Sequence, residues 1–224
     1  MARPANDGEH ASESMEEICA HIESIFGESE IVMHEIVSDE LHIDVFPIPP
    51  SEGWPCWTLY TTGMSEIAMS VPREEGDDED EVRGMQYAEM MIQLPPDWPV
   101  LDEDAGNKEE HYWPIRWLKR AARLPNEEDS WLGVGHTVQF SEPEEEIESG
   151  GFAGMLIMPP MGPEGCGQIE MSDGRVVNVL MILPLYRDEL DFAVEEGVEA
   201  LLEKFEAAEL SPVVEVGRKS VLES

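Results

Sequence analysis

Positive charge is what this chain has least of. Across 224 residues it carries 13 Lys and Arg against 50 Asp and Glu, a formal charge of −37 with His neutral and a sequence pI of about 4.1. Polyanions would be repelled by such a surface, so the balance argues against nucleic acid and against anionic membranes, and it favours basic partners. Cysteine is also scarce. Cys19, Cys56 and Cys166 are odd in number and widely spaced, without a CxxC pair, so neither a disulfide framework nor a zinc knuckle follows. Long apolar runs are missing: the best candidate, 176–185, is interrupted by Asn178 and Pro184, far short of a span. The first fourteen residues, MARPANDGEHASES, lack the apolar core of a secretory signal. These features together read as a cytoplasmic protein with reduced thiols and no cofactor.

What is present suffices for a folded core. Apolar residues make up 42%, with 13 Met and 6 Trp, too apolar for wholesale disorder. Residues 1–12 are polar and read as a disordered segment. Ser14 and Glu17 fit a capping box, and Met15, Ile18, Cys19, Ile22, Ile25 and Phe26 follow helical spacing up to the stop at Gly27. Runs 31–37 and 41–48 read as a β-hairpin. With Ile36 opposite His42, Met33, Val37, Leu41, Ile43 and Val45 share one face, and His34, His42 and Asp44 the other. Strands are expected at 57–62, 85–94, 134–140, 154–158, 168–171 and 175–185, the last two joined at Asp173-Gly174. The run EEGDDEDE, 74–81, reads as a mobile loop. A helix is expected to open with Pro114 in its first turn, and a final helix to run from about 187 to 208. Val213–Val216 reads as a last edge strand or a tail. The order predicts an α+β fold: a single compact domain, residues 13–210, with a mixed, mostly antiparallel sheet flanked by helices, then a tail at 211–224.

Two groups of side chains invite chemistry. His34, His42 and Asp44 form either a two-histidine-one-carboxylate metal site, with the metal-dependent or hydrolytic enzyme it would imply, or a solvated cluster on the outer face of the hairpin. Arg116, Lys119, Arg120 and Arg123 fall at i, i+3, i+4 and i+7 and so make one helical stripe. That stripe either neutralises neighbouring acidic loops or anchors an acidic segment of a partner. Ser65 lacks the G-x-S-x-G context of a nucleophile, and the glycines at 133–135 and 162–167 lack a phosphate-binding pattern. Trp57, Trp113, Trp117 and Trp131 read as core. A third reading is an acidic scaffold suited to a salt-rich cytoplasm.

Several segments recur in order: WTLYTTGMS at 57–65, YAEMMIQLP at 87–95, WPIRWL at 113–118, GHTV at 135–138 and LPLYRDELDFA at 183–193. Together they resemble the suppressor-of-fused family in its bacterial form, over roughly residues 15–210. The resemblance implies a non-catalytic protein-binding domain. Animal members are two-domain regulators that hold an extended peptide as an added strand between their domains; this chain is similar to the N-terminal one. The animal site uses an acidic residue just before the strand that corresponds to Gly135–Val138, where Gly135 and His136 stand here, so peptide specificity does not transfer. Bacterial members resemble immunity proteins that neutralise a cognate toxin by binding it. A basic toxin would suit the acidity, and the tentative contact set is Arg116, Lys119, Arg120, Arg123, Gly135 and His136.

Overall fold

A computed structural model describes residues 8–34, 41–74, 76–102, 104, 108–140, 142 and 146–223. The apolar stripe Ile18, Ile22 and Phe26, at i, i+4 spacing, builds helix α1 (Gly8–Phe26), which ends where Gly27 takes φ +112°. Strand β1 (Asp44–Ile48) pairs antiparallel with β2 (Trp57–Thr62), and β2 with β3 (Tyr87–Leu94). Helix α2 (Glu79–Gly84) precedes β3, and helix α3 (Glu109–Glu127) follows it. Then come β4 (Thr137–Gln139), β5 (Gly154–Met158), β6 (Gln168–Glu170) and β7 (Val176–Leu185), and finally helices α4 (Arg187–Glu196) and α5 (Val198–Ala207).

The strands form one mixed sheet in the order β1-β2-β3-β7-β5-β4, with β6 paired to the start of β7. β3 and β7 run parallel; every other pairing is antiparallel. This is the α+β fold expected from the order of elements. Strand alternation distributes the core to both faces. Leu59, Met90, Ile92, Met155, Ile157, Leu180 and Ile182 pack with Trp113, Trp117, Leu118 and Ala121 of α3. On the opposite face Tyr60, Met91, Val177 and Val179 meet α1, and Leu156, Leu183 and Leu185 meet Leu190, Leu201 and Phe205 of α4 and α5. The sheet is thus the middle of three layers, and Trp57, Trp113 and Trp117 are core residues while Trp131 is half-buried.

Local departures from the sequence pattern have identifiable causes. α1 begins before Ser14, so Ser14 is no cap; it is buried and its hydroxyl accepts from Arg175 Nη2 at 2.8 Å. Among the described residues the acidic run stays a loop only as far as Asp78, which caps α2 by accepting from the Asp80 amide at 2.9 Å; Glu79, Asp80 and Glu81 occupy the first turn, where the helix dipole favours anions. α3 starts at Glu109, which leaves Pro114 inside the helix. The final helix is two helices, because Gly197 (φ 95°, ψ 153°) breaks it. Residues 213–216 form no strand. Instead Val214 donates to the Gln93 carbonyl at 2.9 Å and is buried, and the tail from 211 to 223 lies against the domain through Arg218, Ser220 and Val221.

Candidate functional site

The histidine cluster is built by the first edge of the sheet. Met33 pairs antiparallel with Val45, so one step along His34 stands opposite Asp44, and His42 lies two residues before Asp44 on the same strand face. Met33, Leu41, Ile43 and Val45 turn towards the α3 side of the core. This is the register in which Ile36 would meet His42, although that pair itself, with Val37, lies outside the described residues. The Asp44 carboxylate divides its two oxygens between the rings: Oδ2 is 3.1 Å from His34 Nδ1 and Oδ1 is 3.0 Å from His42 Nε2. Asp44 is 7% exposed at its side chain, against 63% and 53% for the two histidines. A single ligand atom from each of the three lies within 4.8 Å of the others.

The basic stripe of α3 is half-spent on the protein itself. Arg116 pairs with Glu109, about two turns earlier on the same helix. Lys119 Nζ reaches the Met33 carbonyl at 3.4 Å; burial lowers its pKa and the charge of Asp44 opposes that shift. Arg120 donates to the Phe140 carbonyl at 3.0 Å and lies over the Phe140 ring at 4.6 Å. Arg123 donates to the Lys119 carbonyl at 3.2 Å, and burial lowers its pKa against the pull of Glu127. The stripe therefore joins the β1 edge, through Met33, to the residue that follows β4. Elsewhere Arg73, Arg83, Arg175 and Arg187 pair with Glu79, Asp80, Asp173 and Glu146. With so much of the positive charge paired internally, the field that reaches solvent is that of the acidic excess.

Gly135 and His136 lie at the other edge of the sheet. Gly135 has φ +90°, which allows the chain to turn into β4, and its amide donates to the Ile157 carbonyl at 2.9 Å. The His136 ring packs edge-on against Trp131 with centroids 4.5 Å apart. Among the described residues β4 pairs with β5 alone, so it is the last strand of the sheet on that side. Arg120, by its hold on Phe140, is the member of the stripe next to that edge.

Two buried carboxylates were not anticipated from sequence. Glu89 is fully buried in β3 and accepts from Thr61 Oγ1 at 2.6 Å, Ser65 Oγ at 2.7 Å and the Ser65 amide at 3.0 Å. Ser65 is therefore a buried donor that ties a short turn to the sheet. Glu189, in α4, is fully buried and receives a two-pronged ion pair from Arg218 at 2.5 and 2.6 Å. The signal that could have found Glu89 is a lone carboxylate within the apolar run 87–94. Nothing near Glu189 in sequence points to a partner 29 positions away. The cysteines offer little reactivity: burial raises all three thiols, Cys19 to about 11. No helix among the described residues is long and apolar enough to cross a membrane.

A central mixed sheet with helices on both faces and an acidic exterior defines the kind of domain. Residues 39–219 match the family described as suppressor of fused protein (SUFU), and the chain belongs to that family. Three solved structures share the fold. A suppressor of fused homolog from Neisseria gonorrhoeae FA 1090 aligns with TM-score 0.64 and 19% identity, over 93% of this chain and 97% of that one. A chain of a Sufu–Fu complex aligns with TM-score 0.61 and 18% identity, over 92% and 91%. Drosophila Suppressor of Fused aligns with TM-score 0.62 and 16% identity, over 93% of this chain and 51% of that one, so the chain spans about half the length of the Drosophila protein. No curated protein sequence matches.

Proposed function

We propose that the chain is a non-catalytic protein-binding domain of the immunity type, which neutralises a basic toxin by covering it. The observation that carries the reading is the charge of a suppressor-of-fused fold: Arg73, Arg83, Arg116 and Arg187 each pair with a carboxylate of the chain itself, which leaves a large acidic excess on the remaining carboxylates. Such a surface attracts a basic partner from a distance and speeds encounter with it. The outer edge of β4 offers backbone groups for an added strand, with Gly135 and His136 at its start and Arg120 beside it, and Arg116 one helical turn away on the same face, to hold an acidic stretch of the partner. One complex of a similar chain, Sufu with Fu, supports protein binding as the general use of this fold.

The test is to look for a gene beside this one whose product arrests growth, and to co-express the two; finding no such gene counts against the immunity reading. Growth is expected to be restored by the wild type, and reduced again by Arg116→Glu combined with Arg120→Glu while the domain stays folded. Growth arrest in the presence of abundant wild-type protein would contradict the immunity reading. Full protection by the double variant would remove the stripe from the contact surface and leave the β4 edge.

A further inference from the structure

We propose that His34, His42 and Asp44 form a binding site for one divalent transition metal ion, with Zn2+ the best fit. The chemistry of the donors leads to the ion. Two imidazole nitrogens and one carboxylate oxygen are the borderline set that prefers Zn2+, Cu2+ or Ni2+ to the oxygen-seeking Mg2+ and Ca2+. Geometry supports it. Zinc bonds to nitrogen and oxygen of about 2.0–2.2 Å put donor atoms roughly 3.3 Å apart in a tetrahedron; here one donor atom from each residue lies within 4.8 Å of the other two, and each ring nitrogen is 3.0–3.1 Å from its own oxygen of the Asp44 carboxylate. Small side-chain rotations therefore close the site without moving the backbone.

The fold supplies the rigidity such a site needs. His34 and Asp44 face each other across paired strands, fixed by the Met33–Val45 bridge. Asp44 also begins β1, in register with Thr62 of β2, so the carboxylate is set by the sheet and shielded from solvent. The histidines stand outside it, more than half exposed. Each ring nitrogen already faces one Asp44 oxygen, so a metal ion would sit between atoms the fold has brought together. Three protein ligands leave a fourth position facing solvent, for water or for a side chain of a bound protein. Lys119, whose charge interacts with Asp44, opposes the incoming cation, so affinity is expected to be below that of a closed structural zinc site.

Calorimetric titration of the full, tag-free chain with ZnCl2 tests this, alongside Cu2+ electron paramagnetic resonance. Wild type is expected to bind one equivalent of Zn2+, and Cu2+ bound at one equivalent to show coupling to two nitrogens. His34→Ala and His42→Ala should each weaken binding at least about tenfold with circular dichroism unchanged, since both side chains are exposed. Several weak ions per chain, undiminished in the His34→Ala, His42→Ala double variant, would mean binding to the acidic surface and would overturn the site. Loss of Zn2+ binding without loss of partner binding would leave the proposed function intact, because the two rest on different residues.

Discussion

Glu89 and Glu189 are both wholly buried carboxylates, but they are stabilised by different means. Glu89 has neutral donors. Burial raises its pKa above the ordinary carboxylate value more than its hydrogen bonds lower it. The folded state therefore keeps a proton that the unfolded chain releases above pH about 4.3. Stability supplied at lower pH is lost as pH rises through the folded value. Glu89→Gln cannot titrate, so the stability difference between variant and wild type should shift in the variant's favour from pH 4 to pH 7. Urea denaturation across that range measures it, and parallel pH profiles would contradict it. Glu189 has a cation instead. Arg218 is 8% exposed at its side chain and also donates to the Pro184 carbonyl at 3.2 Å. Arg218→Met leaves a buried charge unpaired and should cost about 3–5 kcal/mol in denaturant unfolding; a loss below about 1 kcal/mol would place this pair with weak surface ion pairs. At this scale much of the His34, His42 and Asp44 grouping was legible, because side-chain direction in paired strands depends only on register. The Arg218–Glu189 pair was not, because its members meet through tertiary packing of the tail.

Among the elements, strands with strict boundaries were the most legible. β2 and β5 run where the apolar segments run, and the Asp173-Gly174 turn joins β6 to β7 with Gly174 at φ +87°. Helix ends were less legible, since a helix start is decided by whichever cap its surroundings permit. Pro114 sits within α3 because burial of Trp113, Trp117 and Leu118 against the sheet outweighs one missing backbone donor. The continuous apolar stripe through 190–205 concealed a break that only the backbone reveals. Gly197 ends α4 and caps α5 with φ 95° and ψ 153°, a region open essentially to glycine. An added Cβ would meet nothing closer than Glu199 Oε2 at 3.6 Å, so strain of the backbone alone is at issue. Gly197→Ala should therefore lower stability by about 1–3 kcal/mol. An unchanged denaturation midpoint would show that the α4–α5 corner relaxes freely.

For the whole molecule, net charge was fully legible and its arrangement was not. From sequence, a stripe of four cations on one helix either neutralises acidic loops or anchors a partner; in the structure Glu109 and the carbonyls of Met33, Phe140 and Lys119 engage it. The contacts with Met33 and Phe140 are long-range and the pair with Glu109 depends on where α3 starts, so periodicity alone does not reveal them. What remains outward is a carboxylate-rich surface around the sheet, and attraction across that surface is screened over about 8 Å at physiological ionic strength. The most direct test of binding by charge complementarity is the affinity and association rate of this chain with a growth-arresting protein whose gene adjoins its own, measured as salt is raised. A one-to-one complex whose association rate falls steeply with salt is expected. No complex at low salt, or a complex indifferent to salt, would contradict it.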